Sequence, residues 1–491
     1  MTTLPRLSDK TLIEAGPRLE RPAYDRSAAS IGVVHFGPGA FHRAHQAYAF
    51  DRLLEHDLSF GICAASLRSD DLREALAPQD GLYVLAQRDA EPRFLAIGAL
   101  LERLTAPRAP DALRHRLADP GVRLVTSTVT EKGYCLDAAG ELDFGHPDIA
   151  ADLSASGAPR SLVGWLVRGY ADRRAAGLPA FLAAPCDNLP GNGDKLRHAV
   201  LAFAGRCDPE LARWIAGEAH FACTMVDSIT PATDDALRAR VETECGVRDA
   251  WPVQREAFVQ WVVQRTDAVN QPDWSAAGVV LTTEVSAFER AKLRLLNGAH
   301  SALAYLGLLA GHETVAEAVA DPSLRRFVRQ MWADEIAPDL SAPPGLDLAA
   351  YQQDLLRRFE NPVLVHRLAQ IAWDGSQKVP VRLLGSLRDA AVAGRPYQRL
   401  ALAVAAWMVF IGVRARAGVA IVDPLAERLT HMGQMTALDP HGLFEALVGL
   451  EQVFAPDLIA LPGVRAALRH AFASLTERGA LGAIADGEDC P

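Results

Sequence analysis

The 491-residue chain contains no C-x-x-C pair, no H-E-x-x-H, no G-x-S-x-G and no Walker P-loop. These absences argue against a cysteine zinc site, a zincin protease, a serine hydrolase elbow and a P-loop nucleotidase. Its seven cysteines (Cys63, Cys135, Cys186, Cys207, Cys223, Cys245, Cys490) are odd in number and scattered, which fits reduced thiols rather than a disulfide framework. His42 and His45 are close in sequence, but no third ligand is signalled, so no metal is expected. Basic charge is also short: 50 Lys and Arg against 60 Asp and Glu give a net charge of −10. Nucleic acid and anionic membrane are therefore not expected as main partners. The longest apolar run, Leu400 to Val413, is 14 residues and reads as a buried helix rather than a bilayer span. The N-terminus lacks a charged-then-apolar signal pattern, so a cytoplasmic location is expected.

At this length two or three domains are expected. Ile31-Gly-Val-Val-His-Phe36 has the β-branched apolar character of a buried strand. The glycine turn Gly37-Pro-Gly39 follows at once, and His42 to Glu55 has helical character. Phe60 to Leu67 and Leu124 to Thr130 read as further strands, Tyr83–Ala86 and Phe94–Ile97 as a shorter pair. Asp111 is a candidate cap for a helix ending at Leu117. Ser161 to Ala176 reads as a helix leading to the strand Ala180–Ala184. Strands alternating with helices predict a mostly parallel sheet covered on both faces. After residue 285 strand patterns vanish and Ala, Leu and Arg recur at helical spacing. The fold class is thus α/β plus α: a Rossmann-type dinucleotide-binding domain over 1–284, then a mainly α-helical domain over 285–491. The first 30 residues should form an irregular arm, and the tail Asp486-Gly-Glu-Asp-Cys-Pro491 should fray.

Gly37-x-Gly39-x-x-His42 resembles the dinucleotide fingerprint but has His where its third glycine would be. The two glycines would permit a tight turn and close approach to a pyrophosphate, with the helix start holding its charge. An ordinary turn is the competing reading. Phe36, Gly37, Gly39, Ala40 and Phe41 are the cofactor candidates there. Beyond the second strand, Asp70 could bond ribose hydroxyls and Arg68 could meet a 2′-phosphate; NAD is expected, with NADP left open. Asn188 lies just past a predicted strand end, where parallel sheets bind ligands, although asparagine is also a common turn residue. Asp227 puts a carboxylate in an apolar stretch, where a helix cap or loop anchor is the competing reading.

One stretch, Glu289 to His300, carries polar groups where a helix is normally buried. At about 100° per residue, Lys292, Leu296 and His300 share a stripe with Asn297 at its border. Ser301 and Tyr305 fall opposite. Glu289 could simply pair with Lys292. Alternatively Lys292 is a general base, a role open to lysine when burial or a nearby cation lowers its pKa toward ~7–8.

Gly37-Pro-Gly-Ala-Phe-His-Arg-Ala-His45, Thr130-Glu-Lys-Gly-Tyr134, Cys186-Asp-Asn-Leu-Pro190, Met225-Val-Asp227, Ile229-Thr-Pro231, Lys292-Leu-Arg-Leu-Leu-Asn-Gly-Ala-His300 and Asp374-Gly-Ser-Gln-Lys378 occur in this order. Together they resemble the mannitol dehydrogenase family of long-chain polyol dehydrogenases, from about residue 30 to at least 390. The resemblance implies a metal-independent NAD(P)-dependent oxidoreductase. Lys292 would be the base, with Asn188 and Asn297 bonding the reacting oxygen. His300, Asp227 and Lys378 would hold the substrate's other oxygens, with Arg367 as a further contact. D-mannitol or a related polyol, converted to its ketose, is the expected substrate; the alternative is D-mannonate oxidoreductase (fructuronate reductase). A monomer is expected.

Overall fold

The computed structural model describes residues 4–89, 91–154, 157–269, 271–363, 365–435 and 439–486. Of the tail expected to fray, Asp486 is the last residue of a helix, and residues 487–491, with Cys490, lie outside the described residues. The chain divides into two compact units, Met1–Ser286 and Ala287–Pro491.

The first unit is built on a five-stranded, wholly parallel sheet. Its strands are β1 (Ile31–Phe36), β2 (Gly61–Ser66), β3 (Leu100–Thr105), β4 (Leu124–Ser127) and β5 (Leu182–Pro185). They lie in the order β3–β2–β1–β4–β5. This is the order of the first five strands of a dinucleotide-binding sheet, with β1 central and the order reversing beside it. Strands buried on both faces need continuous apolar runs. Val33, Val34 and Phe36 of β1 are fully buried accordingly. Leu162–Ala175 covers one face; Ser161 caps it, accepting from Gly164 N–H at 2.9 Å.

Several sequence expectations need correction. Strand β3 is hidden in the sequence, because Glu102 and Arg103 interrupt its apolar pattern at the sheet edge. Tyr83–Arg88 and Arg93–Ile97 do pair antiparallel, but in a separate sheet with Leu19–Glu20 and Val253–Glu256. Asp111 is not the helix cap: the helix starts at Pro110, after Ala109, so Asp111 sits inside its first turn. The helix expected from His42 breaks at His45 (φ −119°, ψ −82°) into Ala40–Ala44 and Gln46–Leu53. A third short sheet joins β6 (Thr224–Asp227) to Gln260–Gln264 and Val280–Thr282.

The second unit is helical, with no strand among its described residues. Its longest apolar helix, Gln398–Arg416, meets the length and hydropathy of a membrane span, yet Leu400–Met408 are all buried. It packs against Gly298–Leu309, Ala426–Met435 and Val464–Asp486, as the central helix of a protein core.

Candidate active site

In the first unit, the strand ends carry the candidate residues. Gly37 has φ +80°, and a Cβ built on it would lie 2.4 Å from Thr128 O. Only glycine fits that turn. Thr128 Oγ1 donates back to Gly37 O at 2.7 Å, tying the β1 and β4 ends together. Above Gly39 a Cβ would meet nothing closer than Gly37 O at 3.9 Å, which leaves room for close approach by a ligand. Ala40 opens the short helix and Phe41 is half-buried on it, its ring stacked on His45 at 5.0 Å. Phe36 is wholly in the core, so only its backbone is available to a cofactor. His42, where the fingerprint has glycine, is buried and stacks on His35 of β1 at 3.4 Å. The helix therefore packs through a pair of rings. Burial holds both imidazoles neutral by pushing their pKa values down, His35 to about 3.

Asp70 is less available than its sequence position suggests. Its carboxylate accepts from Arg73 Nε at 2.8 Å and from Thr105 Oγ1, and pairs with Arg108 Nε at 3.0 Å. Arg73, Thr105 and then Arg108 hold it well below the ordinary aspartate range. Arg68 is highly exposed and pairs with Asp148 at 3.2 Å.

Asn188 is exposed three residues beyond β5, and Asp227 is the buried last residue of β6, so it ends a strand rather than capping a helix. Two residues that sequence reading passed over fix this region. Buried Asn192 donates to Asp187 O and Thr224 O, both at 3.0 Å, and accepts from Gly193 and Thr224 N–H at 2.8 and 2.9 Å. It thereby clamps the Asn188 loop to the strand that ends in Asp227. Asp187 accepts from Thr130 N–H at 2.6 Å, Tyr134 Oη at 3.0 Å and Ser127 Oγ at 3.3 Å. Burial raises its pKa to about 6 against the pull of these donors. Thr130 sits at φ 70°, ψ 165°, a conformation costly for a β-branched residue. The Asp187 contact holds it there, joining the Thr130–Tyr134 and Cys186–Pro190 blocks.

In the second unit, the expected α-helical stripe is not what forms. Lys292–Asn297 is a π-helical turn between the α-helices Val285–Ala291 and Gly298–Leu309. On a regular α-helix Asn297 would stand about 140° around the axis from Lys292. A turn closed at i→i+5 instead brings residues five apart toward one side. On that geometry Lys292 and Asn297, five apart, fall nearer one side of the helix than α-helical spacing allows. Ser301 and Tyr305, opposite the stripe by sequence, are buried too, since Gly298–Gly307 is enclosed all round. A Cβ on Gly298 would lie 3.1 Å from Arg382 O, so another segment presses directly on the helix.

His300 is 6% exposed, and its Nε2 has no hydrogen-bond partner among the described residues. Its ring meets Phe359 at 4.7 Å and His366 at 4.9 Å. Burial, then His366, Arg382 and Arg358, keep it neutral by lowering its pKa well below the usual histidine value. Lys378, on the helix Gly375–Val379, lies 3.4 Å from Ile371 O and 3.8 Å from the Asp374 carboxylate; burial first, then Arg382, lowers its pKa. Arg367 is exposed and precedes the helix Leu368–Ile371. Among the described residues no three His, Cys, Asp or Glu side chains form a metal-holding group.

Residues 31–276 match the mannitol dehydrogenase Rossmann domain, and residues 284–476 match the mannitol dehydrogenase C-terminal domain. The chain belongs to the mannitol dehydrogenase family. It is therefore an oxidoreductase of the class acting on CH–OH groups. D-mannonate oxidoreductase of Escherichia coli (strain K12) is 40% identical over 485 residues, covering 97% of this chain and 99% of that one. Mannitol 2-dehydrogenase of Phaeosphaeria nodorum is 39% identical over 476 residues, covering 94% and 82%. Among solved structures, Pseudomonas fluorescens mannitol 2-dehydrogenase in ternary complex with NAD and D-mannitol matches with a TM-score of 0.85 at 36% identity, over 99% of this chain and 100% of that one. A substrate-free D-sorbitol dehydrogenase matches at 0.90 and 30% identity, over 97% and 100%.

Proposed function

We propose that this family member is an NAD-dependent, metal-independent polyol 2-dehydrogenase that interconverts D-mannitol, or a related sugar alcohol, with its ketose. The observation that carries the reading is the π-turn holding Lys292 and Asn297, followed within one turn by neutral His300. It is supported by relatives that bear mannitol 2-dehydrogenase names.

In this reading the Rossmann-type domain over 1–284 holds the dinucleotide. The turn at Gly37, the open space over Gly39 and the helix start at Ala40 and Phe41 fit its pyrophosphate, and Phe36 offers backbone only. Asp70 and Arg68 stand on the adenosine side. Bound NAD supplies the hydride acceptor. The helical domain over 285–491 supplies the base. Lys292, as a neutral amine, takes the hydroxyl proton as hydride leaves the same carbon, so the C–H and O–H bonds are lost together and a ketone forms. Asn188 and Asn297 donate N–H groups to that oxygen, where negative charge grows. One such donor is typically worth about 10²–10³ in rate. Asp227, His300, Lys378 and Arg367 hold the remaining oxygens. Neutral His300 can accept from a hydroxyl, which an imidazolium could not. Glu289, one turn before Lys292, would carry the proton onward. The enzyme works as a cytoplasmic monomer in this account.

The second reading, D-mannonate oxidoreductase, is favoured by the 40%-identical relative and by Arg358 and Arg382 acting on His300, cations suited to a carboxylate. A spectrophotometric NAD(P)H panel with fructose, fructuronate and tagaturonate, with and without EDTA, separates the two. Fructose turnover with NADH, unchanged by EDTA, is expected. Preference for fructuronate moves the assignment to the second reading, and loss of activity in EDTA refutes the metal-free mechanism.

A further inference from the structure

Among its described residues the second unit holds not one π-helical turn but three, Lys292–Asn297, Met331–Ile336 and Pro380–Leu384, and the first packs against the other two. Such turns are rare and concentrate at functional sites. They also need outside support, because a widened turn aligns its own N–H and C=O groups poorly. For Lys292–Asn297 that support is visible. Trp332, in the second π-turn and fully buried, donates its indole N–H to Leu295 O at 3.0 Å. Leu295 O also receives the Gly298 N–H, so this carbonyl in the middle of the turn is served from both inside and outside the helix.

Trp332 is itself fixed. Three residues on, the buried Glu335 carboxylate accepts from the backbone N–H groups of Arg399 and Leu400 at 2.9 and 2.8 Å. Those residues begin the central helix Gln398–Arg416. The Trp332 ring also lies 6.2 Å from Phe359, whose ring meets His300. One side chain therefore reaches the Lys292–Asn297 turn through a hydrogen bond and His300 through a ring, from a segment anchored on the core.

We propose that Trp332 is a positioning residue for the reaction: its indole N–H holds the π-turn that sets Lys292 beside Asn297, and its ring backs Phe359 against His300. The proposal rests on the roles given to Lys292 and Asn297 above. Displacing reacting groups by an ångström can cost about a hundredfold in rate.

The test is Trp332→Phe, which keeps an aromatic ring against Phe359 and deletes only the N–H donor. Polyol oxidation is followed against pH, alongside Phe444→Leu as a core control remote from the turn and Lys292→Ala as a control on the base. Expected for W332F is a fall in kcat of about tenfold or more, an unchanged KM for NAD, and a pH limb of kcat displaced upward as Lys292 loosens toward ordinary lysine behaviour. F444L should lose thermal stability without moving that limb. Trp332→His, which returns a ring N–H, should recover part of the lost kcat. A W332F enzyme with wild-type kcat and pH limb overturns the proposal while leaving an inactive K292A, and hence the base assignment, intact. A near-normal K292A overturns the base assignment and this proposal with it. If W332F does not fold, Glu335→Gln, which loosens only the anchor, must move the pH limb in the same direction; an unmoved limb refutes the proposal.

Discussion

Asp187→Asn isolates a buried charge whose pH signature has a definite sign. In the folded chain Asp187 is 6% exposed, and burial raises its pKa from 3.8 to about 6 even though Tyr134, Thr130 and Ser127 donate to it. The folded protein thus holds this proton more tightly than the unfolded chain does. Whatever stability the protonated carboxyl contributes is fully present below about pH 4 and is lost as pH rises through about 6. The rise from 3.8 to about 6 corresponds to about 3 kcal/mol. Asn cannot ionise, so the variant escapes that loss. Relative to wild type, D187N should gain up to about 3 kcal/mol between pH 4 and 7, or about 5 °C in the melting temperature of a domain this large. Paired thermal melts of the two proteins at intervals across that range measure it. The slope of the difference with pH is the test; a constant offset reports only the changed hydrogen bonds. A flat difference, or a wild type that gains on D187N as pH rises, would refute the claim that desolvation outweighs the three donors.

Gly37→Ala forces a Cβ to 2.4 Å from Thr128 O at φ +80°. It should destabilise the fold by about 1–3 kcal/mol and weaken dinucleotide binding at least about tenfold; calorimetric titration with NAD giving wild-type affinity would remove the turn from the cofactor site. Asp70→Ala frees Arg73 and Arg108 from their shared carboxylate. Relative affinity should move from NAD toward NADP by up to about fivefold, the scale of an exposed ion pair, and equal effects on both cofactors would take Asp70 out of ribose recognition.

The parts legible in the sequence are those with a local cause. The β-branched run Ile31–Phe36 and the glycines after it mark a buried strand and its turn without reference to anything distant. Asn188 is placed by the strand before it, and the helical second unit by its loss of strand pattern. The rest depends on long-range partners or on backbone states that leave no compositional trace. Leu100–Thr105 is a strand because β2 pairs with it, despite Glu102 and Arg103. Thr130 adopts a positive φ because Asp187, far along the chain, holds its N–H. Asp70 looks like a ribose ligand until Arg73, Arg108 and Thr105 are found on it. The π-turn at Lys292–Asn297 is the sharpest case. Its residues are ordinary helix formers, and its register change is supported by Trp332 from 37 positions further on.

The most direct measurement of the central claim is polyol turnover by Lys292→Ala at saturating NAD, with cofactor binding measured on the same preparation. Removal of a general base predicts a fall in kcat of about 10²–10⁴ with NAD affinity retained. Turnover within a few-fold of wild type would contradict the account, because no proton acceptor would then be missing from the Lys292–Asn297 turn.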